Sequence, residues 1–323
     1  MSQRTTAAPE ASKEPKKRKL TQSGRNNING FLFALPWIIG FLCFSVYPLI
    51  CSLYYSFTSF SPVTQPVWIG PKNYINVFHD PIVLKSLKNT LFMSFVSTPI
   101  NLLCALCLGL ICAKRFKAKG VVRTIFFLPS VIPMVAGTMV WIWMFDPTYG
   151  IINTLLSKVG IKGPAWLLNP ATTKWSLVMM GIWHVGTAML VIINAIQEVS
   201  SSYYEAAKID GANAWKAFLH ITLPGIAHVI VYQAILNLLY SFQYFQQVYI
   251  IIRASSGNAI GLASGGPANS ILMYPLYIFQ NAFTYMDMGK ASAMAWLLFI
   301  VVAVMTVFMT KATKKVTEGM GGE

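Results

Sequence analysis

Six stretches without a single Asp, Glu, Lys or Arg constrain this chain more than any other feature. They cover residues 31–71, 89–113, 124–145, 175–197, 217–252 and 291–310. A helix needs about 20 apolar residues to cross a bilayer, and each tract holds enough. Only 11% of the 323 residues are charged, against about 25% in ordinary soluble domains. The expected fold is therefore all-α: a polytopic membrane protein with about six transmembrane helices, near 31–57, 89–113, 122–145, 175–197, 226–252 and 290–311. Pro36, Pro48, Pro99, Pro129 and Pro133 lie within these spans. Membrane helices tolerate proline where neighbours satisfy the freed carbonyls.

With six spans, both ends lie on one side. Of the 25 Lys and Arg residues, 17 then fall on the side of the termini and eight on the other. Basic residues concentrate on cytoplasmic loops, so both termini are expected in the cytoplasm. Residues 1–30 read as a disordered basic tail, 31–312 as the membrane domain with a cytoplasmic loop at 198–225, and 313–323 as a second cytoplasmic tail. Residues 268–286 are apolar but carry Pro275. A crossing there would move the C-terminal lysines outside, so the segment is expected as a helix packed at the outer side or partly re-entrant.

The net charge of +15 belongs to loops and tails, and no basic stripe forms a nucleic-acid face. Cys43, Cys51, Cys104, Cys107 and Cys112 sit in apolar tracts and read as small packing residues. The four histidines, His79, His184, His220 and His228, lie on different segments without metal spacing. No metal site and no catalytic group is expected.

The loop after the fourth span is built rather than merely connecting. Ser202 and Glu205 have capping-box spacing, Gly211 suits a left-handed helix end, and Asn213 can cap the next helix. Pro224 ends that second helix before the fifth span. The string Glu205-Ala206-Ala207, then Asp210-Gly211-Ala212, then Phe218 and Leu223-Pro224, resembles the EAA signature of permease subunits of binding-protein-dependent ABC importers. Trp68-Ile69-Gly70, Asn73-Tyr74, Asn89-Thr90-Leu91, Phe127-Leu128-Pro129-Ser130, Tyr149-Gly150, Trp166-Leu167 and Gly265-Gly266-Pro267 extend the likeness to the carbohydrate group, the maltose and glycerol-3-phosphate type. About ten residues near Ala254 to Ala263 depart from it as an insertion.

The resemblance implies a cell-membrane transport subunit that couples to its motor through Glu205, Ala206, Ala207, Asp210, Gly211, Ala212 and Pro224. It implies a second permease, two ATPase subunits, an extracytoplasmic solute-binding protein and a sugar substrate; the chain itself would bind no cofactor. Consistently, no G-x-x-x-x-G-K-[ST] loop occurs, so ATP would be held by the partner ATPase. An ion-coupled secondary carrier of a small polar solute is the alternative, but ion coupling usually leaves ionisable groups within the membrane; no carboxylate lies in any span, and among the histidines only His184 lies away from a span end. In the fifth span, Gln233, Asn237, Tyr240, Tyr244 and Gln247 recur at helical spacing, with Ser241 beside them. Neutral donors, acceptors and aromatic planes suit a sugar path. His184, Thr187, Asn194 and Gln197 form a weaker stripe on the fourth span.

Overall fold

Proline and glycine decide where these helices run straight and where they break. The computed structural model describes residues 22–114, 117–255 and 265–319. The tail before residue 22, Arg115 and most of the insertion near Ala254 to Ala263 lie outside the described residues. Two compact units divide between Ser52 and Leu53. The first is the N-terminal helix, which starts at Gln22 and so within the segment expected as a disordered tail. The second carries all that follows.

Three helices are each long and apolar enough to cross a membrane: Asn29–Ser56, Pro81–Ala113 and Met288–Lys311. Three further crossings are bent pairs. Lys119–Val131 and Met134–Met144 meet at 101°, Pro170–Trp183 and Gly186–Glu198 at 48°, and Ala214–Gly225 and Ala227–Ala254 at 65°. With each pair counted as one span, the six expected spans are all present. The second begins at Pro81, earlier than its charge-free tract, because Asp80 caps it by accepting the Ile82 N–H at 2.8 Å. The last helix runs on to Gly319, beyond the expected domain edge at 312.

Three of the prolines leave the same mark. Wide π-type turns at Leu42–Val46, Met93–Ser97 and Phe218–Thr222 each end two residues before Pro48, Pro99 or Pro224. In each case the residue just before proline donates its N–H five residues back, Tyr47 to Leu42, Thr98 to Met93 and Leu223 to Phe218. A proline ring collides with the carbonyl four residues back, and widening the turn relieves that collision without ending the helix. Pro133 acts differently. Its predecessor Ile132 is forced to an extended ψ of 129°, as residues before proline are, and this makes the 101° bend.

Packing of the second unit centres on spans two, four, five and six. Met93, Leu177, Met180, Val248, Ile251 and Met294 are all buried in one cluster. Spans two and four approach closely through Ala105 and Gly109; a Cβ at Gly109 would lie 2.8 Å from Ile192 Cγ2. Small residues allow such contact between membrane helices. Cys112 is buried among them and Cys51 and Cys104 are half-buried, whereas Cys43 and Cys107 are exposed, so these two do not pack within the chain as expected of all five.

The ambiguous apolar segment resolves into Tyr274–Phe279 continued by a wide turn, Gln280–Thr284. Eleven residues of helix reach about 16 Å, half of a bilayer core of about 30 Å. It is pinned to its neighbours. Asn89 Nδ2 donates to the Asn269 and Leu272 carbonyls at 2.9 Å each, and Thr90 Oγ1 accepts the Tyr274 N–H at 2.8 Å. One carboxylate fastens the assembly: Asp80 Oδ2 receives Lys290 Nζ at 2.7 Å and the Tyr277 hydroxyl at 2.9 Å. Earlier in the chain, Thr58–Ser59 and Val67–Trp68 form a short antiparallel pair. Asn73 closes it by donating to the Ser56 and Thr58 carbonyls, which gives the Trp68-to-Tyr74 motif a structural role.

Candidate functional site

Two features of the second unit could carry function: the helical loop between spans four and five, and a cavity among the spans.

The loop consists of Ser201–Ile209 and a second helix that starts at Ala214. Its first cap is Ser200, whose Oγ accepts the Ser202 N–H; the expected cap at Ser202 is two residues late, and Glu205 lies in the second helical turn. Gly211 has φ of +73°. Around it, Gly211 N–H bonds Lys208 O at 3.2 Å and Ala212 N–H bonds Ala207 O at 2.8 Å. That pair of bonds is the Schellman termination expected of a left-handed glycine. Asn213 caps the second helix, accepting from Lys216 N–H at 2.8 Å. Tyr204 and Thr222 join the two helices through their hydroxyls at 2.9 Å.

The loop's outward surface is unlike an ordinary polar connection. Ile209 is 87% exposed and Trp215 66%. Glu205, Ala206, Asp210, Gly211 and Pro224 are exposed beside them, while Ala207 and Ala212 are half-buried. A rigid helix–turn–helix with exposed apolar knobs and small residues between them suits close contact with a protein surface.

The cavity has a volume of 730 Å³ and lies among spans two to five. Gln233, Asn237, Tyr240, Ser241, Tyr244 and Gln247 all line it, together with His184 and Thr187. The helix itself is not continuous, as expected for 226–252, but breaks after Phe242 and resumes at Gln246. The break brings Gln243 and Gln246 to the wall as well. Asn194 and Gln197 do not line it; both are exposed. Ser241 is partly committed to packing, since its hydroxyl donates to Ser94 Oγ at 2.7 Å.

Sequence reasoning missed the contribution of span two. Ser97, Thr98 and Asn101 line the cavity, and the signal was present as hydroxyl and amide residues three and four apart. His184 occupies the break in span four. Its Nδ1 lies 3.1 Å from Met180 O; a carbonyl only accepts, so Nδ1 donates. Asn101 Oδ1, His184 Nε2, Tyr244 Oη and Gln247 Oε1 are buried without a hydrogen-bond partner among the described residues. Buried polar atoms left unpaired cost about 1–3 kcal/mol each, so the cavity is poised for a hydrogen-bonding occupant. Among the described residues, no Asp, Glu, Lys or Arg contributes to its wall. Among the described residues, no group of three metal-ligating side chains comes together.

The family described as "Binding-protein-dependent transport system inner membrane component" matches residues 105–317. The chain belongs to this family. Such an inner-membrane component is a membrane-embedded transport subunit, which removes the secondary-carrier alternative. The chain is similar to the probable ABC transporter permease YesP of Bacillus subtilis, 37% identical over 292 residues and covering 90% of this chain and 91% of that one. It is 30% identical to the lactose transport permease LacF of Rhizobium radiobacter, covering 90% and 95%. The starch-degradation-product permease AmyD of Thermoanaerobacterium thermosulfurigenes is 29% identical, covering 90% and 96%. In fold, the inner-membrane component resembles a chain of a bacterial alginate importer, with a TM-score of 0.75, 24% identity and coverage of 91% and 97%.

Proposed function

We propose that this inner-membrane component carries a sugar or oligosaccharide through the cavity of spans two to five, with ATP hydrolysed on separate ATPase subunits docked at the 198–225 loop. The observation that carries this reading is the cavity: a charge-free wall of amides, hydroxyls and aromatic rings, four of whose polar atoms await a partner. Hydroxyl-rich, uncharged solutes supply both donors and acceptors to such a wall, and the named substrates of the permeases LacF and AmyD are saccharides. A second permease would complete the path, a solute-binding protein would load it, and the loop with both termini would face the cytoplasm.

Glu205, Asp210 and the exposed Ile209 and Trp215 would meet the ATPase, while Gly211 holds the turn that presents them. ATP-driven closure of the ATPases would pull on this loop, and its continuity with span five through Pro224 would pass the motion to Gln233 and Asn237. The test is uptake of labelled saccharides by the assembled complex in proteoliposomes. Alanine at Asn237, Tyr240 or Tyr244 is expected to change the rate or the order of preference among sugars while ATPase co-purification is preserved. Unchanged rates and preferences in all three would assign these side chains to helix packing instead.

A further inference from the structure

The segment between spans three and four is a folded unit with an orientation of its own. Asp146 Oδ1 accepts the Thr148 and Tyr149 N–H groups. Asn153 Nδ2 donates to the Pro147 and Pro164 carbonyls at 3.3 and 3.2 Å, and its Oδ1 accepts Trp166 Nε1 at 2.7 Å. Gly163 fits against Asn153, where a Cβ would overlap the amide. These contacts lock the helix Ile151–Lys158 with Ile152 and Asn153 turned inward.

The locked orientation leaves an apolar edge outside. Ile151 is 55% exposed, Leu155 56% and Val159 71%. They recur every four residues and so follow one edge of the helix. Ile161 extends the edge past the turn at Gly160. Lys158 and Lys162 flank it, both exposed. The helix begins seven residues after Met144, where an apolar span ends; the exposed ring of Trp143 lies in the last turn of that span and that of Tyr149 in the connection.

We propose that this edge is seated in the phospholipid layer, with Ile151, Leu155 and Val159 at the acyl boundary and Lys158 and Lys162 at the headgroup phosphates. Trp and Tyr mark the membrane–water boundary, and amphipathic helices with flanking lysines lie in that plane. Lysine stems cover apolar surface while the ammonium reaches the phosphates. A protein partner fits less well, since lysine is depleted from protein interfaces.

The experiment uses the assembled importer in lipid nanodiscs, with native cysteines replaced and a nitroxide placed singly through Leu155→Cys, Val159→Cys or Ser157→Cys. Collision with oxygen reports lipid and collision with a nickel chelate reports water. The oxygen-to-chelate ratio is expected to be higher at 155 and 159 than at 157, with and without the solute-binding protein. Equal ratios at the three positions would overturn the proposal, as would protection from both quenchers at 155 and 159, which marks a protein cover. If Leu155→Cys fails to assemble, Val159→Cys, outside the helix proper, carries the same comparison.

Discussion

Two residues carry more than their neighbours. Gly211 sits at φ +73° with open space around it, so a substitution there is judged by backbone strain alone. Gly211→Ala is expected to cost about 1–2 kcal/mol in the left-handed turn, whereas Gly211→Pro, whose ring fixes φ near −65°, is expected to abolish uptake while the protein still inserts. Uptake beside ATPase co-purification measures both. Asp80 is the second. Burial alone would raise its pKa, but the bond from Lys290, the Ile82 N–H and the Tyr277 hydroxyl outweigh it and hold the carboxyl below its ordinary 3.8. The native state therefore favours the ionised form, and this contribution is whole above pH 3.8 and fades only as pH falls below it, through the depressed native value. Asp80→Asn is expected to lower thermal stability at pH 7 by about 1–3 kcal/mol, and to matter progressively less in acid. Adding Lys290→Met to that variant should cost less than the two single changes summed, because each single change strands a charge. A melting series in detergent, across pH, checks both statements.

Among elements, the 198–225 loop was the most legible in the sequence. Capping residues and a left-handed glycine act within a few residues, so Gly211 and Asn213 could be placed correctly; the first cap moved from Ser202 to Ser200 because three consecutive serines, Ser200 to Ser202, offer themselves at one helix start. The fifth span was legible in part. Its polar residues all reach the cavity, but nothing local marks the break after Phe242, where tertiary packing overrides the helical period. The role of Asn101 was hidden because span two reads as apolar and its polar stripe is short. Expected behaviour follows from these placements. Glu205 is exposed and has no ion pair among the described residues, so Glu205→Lys leaves the loop folded and reverses charge only at the docked surface. Uptake should fall by about tenfold or more, which corresponds to about 1.4 kcal/mol, with unchanged insertion. Asn101→Ala should alter sugar transport as Asn237→Ala does, although it lies 136 residues away in the chain; if transport per complex is unaltered, span two is only a wall.

At the scale of the whole molecule, charge-free tracts found all six crossings because hydrocarbon excludes charge regardless of how a helix bends. They could not find the bends of 101°, 48° and 65°, which come from Pro133, from the His184–Val185 break and from the turn at Ile226. The distribution of lysines makes an orientation test direct. In a cysteine-free variant, cysteines replacing Lys119 and Lys216 should resist an impermeant thiol reagent applied to whole cells, while one replacing Lys158 should react. Labelling at 119 with protection at 158 would invert the molecule. The wide turns before Pro48, Pro99 and Pro224 carry a further consequence for how such a chain tolerates change in length. Losing one residue from a straight membrane helix rotates every later side chain by about 100° and presents the wrong face to its neighbours. A wide turn already holds one residue more than an ordinary turn. Deleting one residue of the turn, with the proline replaced by a residue that can donate its N–H, would let the coil retighten while the downstream face keeps its phase. Each of these spans thus has one site where a codon can be lost without scrambling the interior.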